Sequence, residues 1–167
     1  PGKGVHTCLD FHGKTPLSAT PDMWHNLLIE ETRDGFGFVL KDNVNDLGYG
    51  SITTPGSLMA YYEAVQDFGT WDWSDVVAPA VAQADKGFAV RPHVYFWWTH
   101  GAALGRVQVD QRLAFSNTGR EIYFADNSDG TRRLKRIGEQ VVNQDLANTL
   151  RTLQRDGIDP FFRGEIA

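Results

Sequence analysis

The chain of 167 residues carries five histidines and one cysteine, and its densest group of reactive side chains lies near the start. His6, Cys8, Asp10 and His12 alternate with Val5, Thr7, Leu9 and Phe11, a period of two that predicts a strand with one polar face. A shared metal ion on that face is excluded by reach. Same-face neighbours stand roughly 6.6 Å apart, while ligand bonds are near 2 Å. His25, His93 and His100 fall on separate segments without ligand spacing. Asp126 to Gly130 has the acids and the glycine out of register for a calcium loop and predicts a turn. There is no Gly-x-Ser-x-Gly elbow, no phosphate loop with its Lys and no His-Glu-x-x-His. Thr53 and Thr54 are tempting nucleophiles, but an internal threonine has no free α-amine to act as its base. The residues alone therefore place no catalytic group, cofactor or metal in this chain.

The elements that must position any site are clearer. Gly48 to Gly69 is the best-specified stretch. Gly48 and Gly50 allow positive φ or close backbone approach, Pro55 pushes Thr54 toward an extended conformation, and Ser57 is expected to cap a helix. Leu58, Tyr61, Tyr62, Val65 and Phe68 form one helical face, and Gly69 is expected to end it in the left-handed region. Ser74 and Asp75 predict a second helix with Val76, Val77, Ala80, Val81 and Ala84 inward, Gly87 at its end and Pro79 kinking it or delaying its start. Val94 to Trp98 is the most aromatic segment, fit for core packing, a subunit contact or one wall of a substrate pocket. A further helix is expected after Asn143, with Asp145 in its first turn, the stripe Leu146, Ala147, Leu150 and Leu153, and Gly157 closing it. Asp159-Pro160 predicts a short helix start. Between these lie turn-rich Lys14 to Pro21, a short helix or irregular crossing from Pro21, a turn at Arg33-Asp34-Gly35, a strand over Phe36 to Leu40 and a polar loop to Asp46.

Composition narrows the class. With 41% hydrophobic and 22% charged residues and a net charge of −5, the sequence is globular, not disordered. Nucleic-acid binding is disfavoured, since only Arg132, Arg133, Lys135 and Arg136 cluster. No apolar run approaches the roughly 20 residues of a membrane span. The start at Pro1 without Met, and Gly164 to Ala167 resembling the opening of another helix, predict a piece of a longer protein.

Four ordered segments carry a resemblance. Leu146-Ala147-Asn148-Thr149-Leu150 followed by Phe161-Phe162-Arg163-Gly164-Glu165-Ile166-Ala167 resembles the Leu-Ala-x-Thr-Leu helix and Phe-Tyr-x-Gly-x-Ile-Ala segment of the γ-glutamyltransferase large subunit. Thr54-Pro55-Gly56 with its helix, Trp73 to Phe88, and Asp10 to Pro16 are similar to three further family segments. The resemblance implies an α+β fold, the αββα sandwich of N-terminal nucleophile hydrolases, with residues 1–167 supplying a strand region and a helical layer of one large-subunit domain. It implies a zymogen that cleaves itself into two subunits, and a small-subunit Thr whose hydroxyl attacks an amide with its own α-amine as base. The implied partners are that small subunit, the remaining large-subunit segments and a small-molecule amide.

One departure falls on substrate recognition. The family strand reads Asp-x-Arg-Glu-x-Ala-Pro, and its Arg holds the α-carboxylate of a γ-glutamyl substrate; here that position is His12 and the next is Gly13. An imidazole, largely uncharged at neutral pH, does not replace a bidentate guanidinium. The expected substrate-binding residues are His12, Gly13 and Lys14. Three readings stay open: an amidohydrolase or acylase for a non-glutamyl acyl group, a γ-glutamyl transpeptidase that recruits Lys14 or a partner's Arg, and a non-catalytic scaffold or binding subunit. The compartment follows the branch, cytoplasmic for a catabolic amidohydrolase and periplasmic or secreted for a transpeptidase.

Overall fold

The computed structural model describes residues 4–32, 35–101 and 106–167. In chain order its elements are β1 (Leu28–Glu31), β2 (Phe38–Leu40), α1 (Ser57–Phe68), α2 (Trp73–Lys86), β3 (Phe88–Ala89), α3 (Pro92–Thr99), α4 (Val109–Leu113), α5 (Asn117–Tyr123), β4 (Phe124–Asp126), β5 (Arg132–Leu134), β6 (Gln140–Val141), α6 (Gln144–Asp156) and α7 (Asp159–Phe162). The residues divide into two compact units, one of 1–16, 53–87 and 142–167, the other of 17–52 and 88–141.

The first unit is built on α2 against α6. Helix α6 has both expected ends, and α2 the expected C-terminal one. The Asn143 side chain accepts from the Leu146 amide at 2.9 Å, and Gly87 and Gly157 leave at φ of +79° and +75°, where a Cβ would be strained. Leu153 and Ala147 are buried, at 3% and 0% exposure, as is Val77 of α2. The Trp73 indole donates to the Leu153 carbonyl at 2.8 Å, giving a half-buried aromatic a partner for its N–H. At the other end, Gln144 and Arg151 reach Asp85 at 2.6 and 2.7 Å, and these hydrogen bonds hold its carboxyl below the ordinary carboxylate range. Asp72, not Ser74, precedes the first residue of α2, without a side-chain cap, and the helix runs through Pro79 without interruption. A proline inside a helix removes one hydrogen bond, and the packing on α6 outweighs that loss.

Several local expectations are corrected. Residues 5–11 are not a hydrogen-bonded strand, and Val5, Leu9 and Phe11 are exposed. Alternation makes a strand only where a neighbour offers N–H and C=O groups, and here the pairing is confined to the Lys14–Thr54 bridge, with N···O distances of 3.3 and 2.8 Å. Ser57 already lies inside α1, which begins from Gly56 without a side-chain cap. Gly69 leaves α1 extended, at φ −70° and ψ 160°, so close approach and not handedness requires glycine there: a Cβ would lie 2.4 Å from the Val65 carbonyl oxygen. Of the expected face of α1, Tyr61 and Phe68 are exposed and Ala60 is the buried residue. Gly164 to Ala167 forms no helix; the Ile166 amide bonds back to the Pro160 carbonyl instead.

The second unit consists of short antiparallel ribbons and helices. β1 pairs with β2, β3 with β6 and β4 with β5. Residues 25–27 form a single 3-10 turn after the irregular stretch from Pro21. Arg33 and Asp34 of the expected turn lie outside the described residues, though the Gly35 amide bonds to the Thr32 carbonyl at 2.9 Å. Gly48 has φ +75° and Gly50 approaches the Val44 carbonyl, so both glycines of that turn are needed. Asp126 to Gly130 is the turn between β4 and β5, and Val94 to Trp98 lies on α3. Phe96 and Trp97 are exposed there, while Trp98 meets Tyr123 edge-on at 5.6 Å.

The basic cluster of this unit is partly consumed by ion pairs. Arg132 binds Asp126 at 2.7 Å, and Arg133 grips Glu139 through two bonds of 2.7 Å. That fork, with the Arg136 amide, lowers the Glu139 carboxyl to about 2 from an ordinary 4.5. Because the folded value lies below the unfolded one, the contribution of the pair is complete above about pH 4.5 and is lost as pH falls through 2. An NMR titration of the Glu139 side chain should show a midpoint near 2; a midpoint at the ordinary value would mean that the fork does not hold in solution. Glu139→Gln should flatten the acid limb of stability.

Candidate functional site

The start of the first unit folds over the N-terminal end of α1. Asp10 accepts the His12 amide at 3.1 Å, an Asx turn that curves the chain. Phe11 then approaches the helix from two sides. Its ring meets Tyr61 with centroids 6.0 Å apart, and its carbonyl would stand 2.8 Å from a Cβ on Gly56. Gly13 packs on Thr53, where an added Cβ would lie 2.1 Å from the hydroxyl and 2.8 Å from Cβ. Lys14 follows, held by its bridge to Thr54.

These contacts enclose a cleft of about 270 Å³ lined by His12, Lys14, Thr54, Met59, Glu63 and Phe162, with parts of residues 9–11, 55–56 and 60 completing the wall. Of the three expected binding residues, His12 and Lys14 line this cleft; Gly13 does not, and serves the close contact with Thr53. His12 Nδ1 lies 3.3 Å from the Gly13 carbonyl. A neutral imidazole that donates there offers Nε2 as an acceptor, whereas a guanidinium only donates.

Sequence reasoning missed Glu63 and Phe162. Glu63 had a readable signal, because Gly56, Met59, Ala60 and Glu63 fall at i, i+3, i+4 and i+7 of one helix. Phe162 had none; only α7 brings it to the cleft. Among the described residues no three His, Cys, Asp or Glu side chains converge as a metal site would require.

The arrangement of elements has the α+β fold of the N-terminal nucleophile hydrolases. It matches the crystal structure of Helicobacter pylori γ-glutamyltranspeptidase with a TM-score of 0.70 and 21% identity, over 95% of this chain and 39% of that one. The chain belongs to the γ-glutamyltranspeptidase family, whose model matches residues 2–167. The glutathione hydrolase proenzyme of Pseudomonas sp. (strain A14) is 30% identical over 165 residues, covering 98% of this chain and 25% of the relative. The acylase ACY 1 proenzyme of Pseudomonas sp. (strain SE83) is 28% identical over 165 residues, covering 98% and 26%. The chain thus spans about a quarter of the length of these curated relatives.

Proposed function

We propose that the chain is part of the large subunit of an N-terminal nucleophile amidohydrolase or acylase that acts on an amide with a non-glutamyl acyl group. Residues 1–167 belong, in this reading, to one large-subunit domain completed by further chain segments. Self-cleavage of a common precursor supplies a small subunit whose terminal Thr attacks the amide carbon. Its α-amine takes the hydroxyl proton and passes it to the leaving amine; water then releases the acyl group from the Thr ester. No cofactor or metal enters the reaction.

The observation that carries the reading is His12. It takes the place at which the resembled family motif keeps Arg, and it lines the cleft with an imidazole in place of a fork of donors. An α-carboxylate gains nothing from that exchange, while a neutral or N–H-bearing acyl group does. His12, Gly13 and Lys14 are accordingly proposed as the acyl-binding segment, with Gly13 acting through its packing on Thr53.

Lys14 favours a second reading, a γ-glutamyl transpeptidase or glutathione hydrolase. The residue lines the same cleft, a carboxylate can be held by an ammonium as a point charge, and the 30% identical relative is a glutathione hydrolase proenzyme. The test is a paired assay of the complete, self-processed protein and its His12→Arg variant with γ-glutamyl anilide and simple acyl anilides. The acylase reading expects weak γ-glutamyl turnover in the wild type and a gain of about 10²-fold in γ-glutamyl over acyl preference in the variant. Efficient wild-type γ-glutamyl transfer that collapses in Lys14→Ala would establish the second reading instead.

A further inference from the structure

The charges of the cleft are set out in an order that bears on the substrate. We propose that Glu63 is a specificity-determining residue that holds an ammonium group at the far end of an extended acyl chain, which makes the substrate class an ω-aminoacyl amide; this rests on the cleft being the acyl pocket.

Gly56, Met59, Ala60 and Glu63 form one face of α1, and all four line the cleft. Seven residues at 1.5 Å each place Glu63 roughly 10 Å along the helix from Gly56, the end at which Thr54 bridges Lys14. Glu63 and the backbone of Lys14 are therefore separated along the helix. Neither side chain has a hydrogen-bond or ion-pair partner among the described residues. The rest of the lining includes the apolar side chains of Met59, Ala60, Leu9 and Phe162. A chain laid along that stretch buries methylene groups, and its tip meets the Glu63 carboxylate. There an ammonium finds its complement, a methyl group gains no charge contact with the exposed carboxylate, and a carboxylate meets a like charge. Asp10 adds a second acid to the same lining, so the formal balance with Lys14 is negative.

Three anilides of equal chain length separate these cases in the complete, self-processed enzyme: ε-aminohexanoyl, heptanoyl and pimeloyl, which end in ammonium, methyl and carboxylate. The expected order of kcat/KM is ammonium, methyl, carboxylate, with about tenfold between the first two, mostly in KM. Glu63→Gln should remove that tenfold preference, and Glu63→Lys should move the preference to the carboxylate chain. The heptanoyl rate in each variant reports that the enzyme is folded. An ammonium-to-methyl ratio unchanged in Glu63→Gln, or a wild type that prefers pimeloyl, overturns the assignment. Failure of the underlying reading looks different: γ-glutamyl anilide would outrun all three chains in the wild type.

Discussion

Gly13→Ala should lose about 3 kcal/mol of stability and distort the cleft. The Cβ would arrive 2.1 Å from the Thr53 hydroxyl and 2.8 Å from Thr53 Cβ, distances that no rotamer of Thr53 relieves in full because its Cβ is fixed to the backbone. The residue is followed at once by the Lys14–Thr54 bridge, so a shift there moves His12 and Lys14, which line the cleft. Denaturant unfolding of the complete protein measures the loss. Thr53→Gly removes both contacting atoms, and the double variant should recover most of what Gly13→Ala lost. A wild-type midpoint for Gly13→Ala alone would show that the approach is looser than described.

Leu153→Ala should cost about 3 to 4 kcal/mol, the range for emptying a close-packed leucine site. Leu153 is 3% exposed between α2 and α6, and its own carbonyl receives the Trp73 indole. Leu146 supplies the control. It belongs to the same sequence stripe but is 46% exposed, so Leu146→Ala should change stability by no more than about 0.5 kcal/mol. Equal losses from the two substitutions would mean that the stripe is buried along its whole length.

The contrast between those leucines shows where the sequence was informative. Helix α6 was legible because Asn143, Asp145 and Gly157 mark its ends, and α2 because Gly87 does. How deep each apolar residue sits was not legible, since a stripe of period 3.6 is wider than the groove it fills. Ser57 drew the cap of α1 one residue too late, because a serine before an apolar run looks the same whether it flanks the helix or already belongs to it. Strand β1 escaped notice, as Leu28-Ile29-Glu30-Glu31 lies exposed along its length and so carries no alternation. His12 and Lys14, expected from a motif local in sequence, both line the cleft. Glu63 shares a helical spacing with Gly56, Met59 and Ala60 that the sequence shows, whereas Phe162 joins the cleft only once α7 is folded and nothing next to it in the chain announces it.

The bond from Trp73 to Leu153 spans 80 residues, as does the one from Gln154 to Ser74. During synthesis, α2 must therefore wait for α6 to leave the ribosome. At roughly 5–20 residues per second that interval is about 4 to 16 s, far longer than a helix needs to form or a chain to collapse. Through that time the Val77 and Trp73 surface of α2 is without its native cover. The long-range pairing of α2 with α6 thus leaves the nascent chain, more than the finished protein, exposed to aggregation.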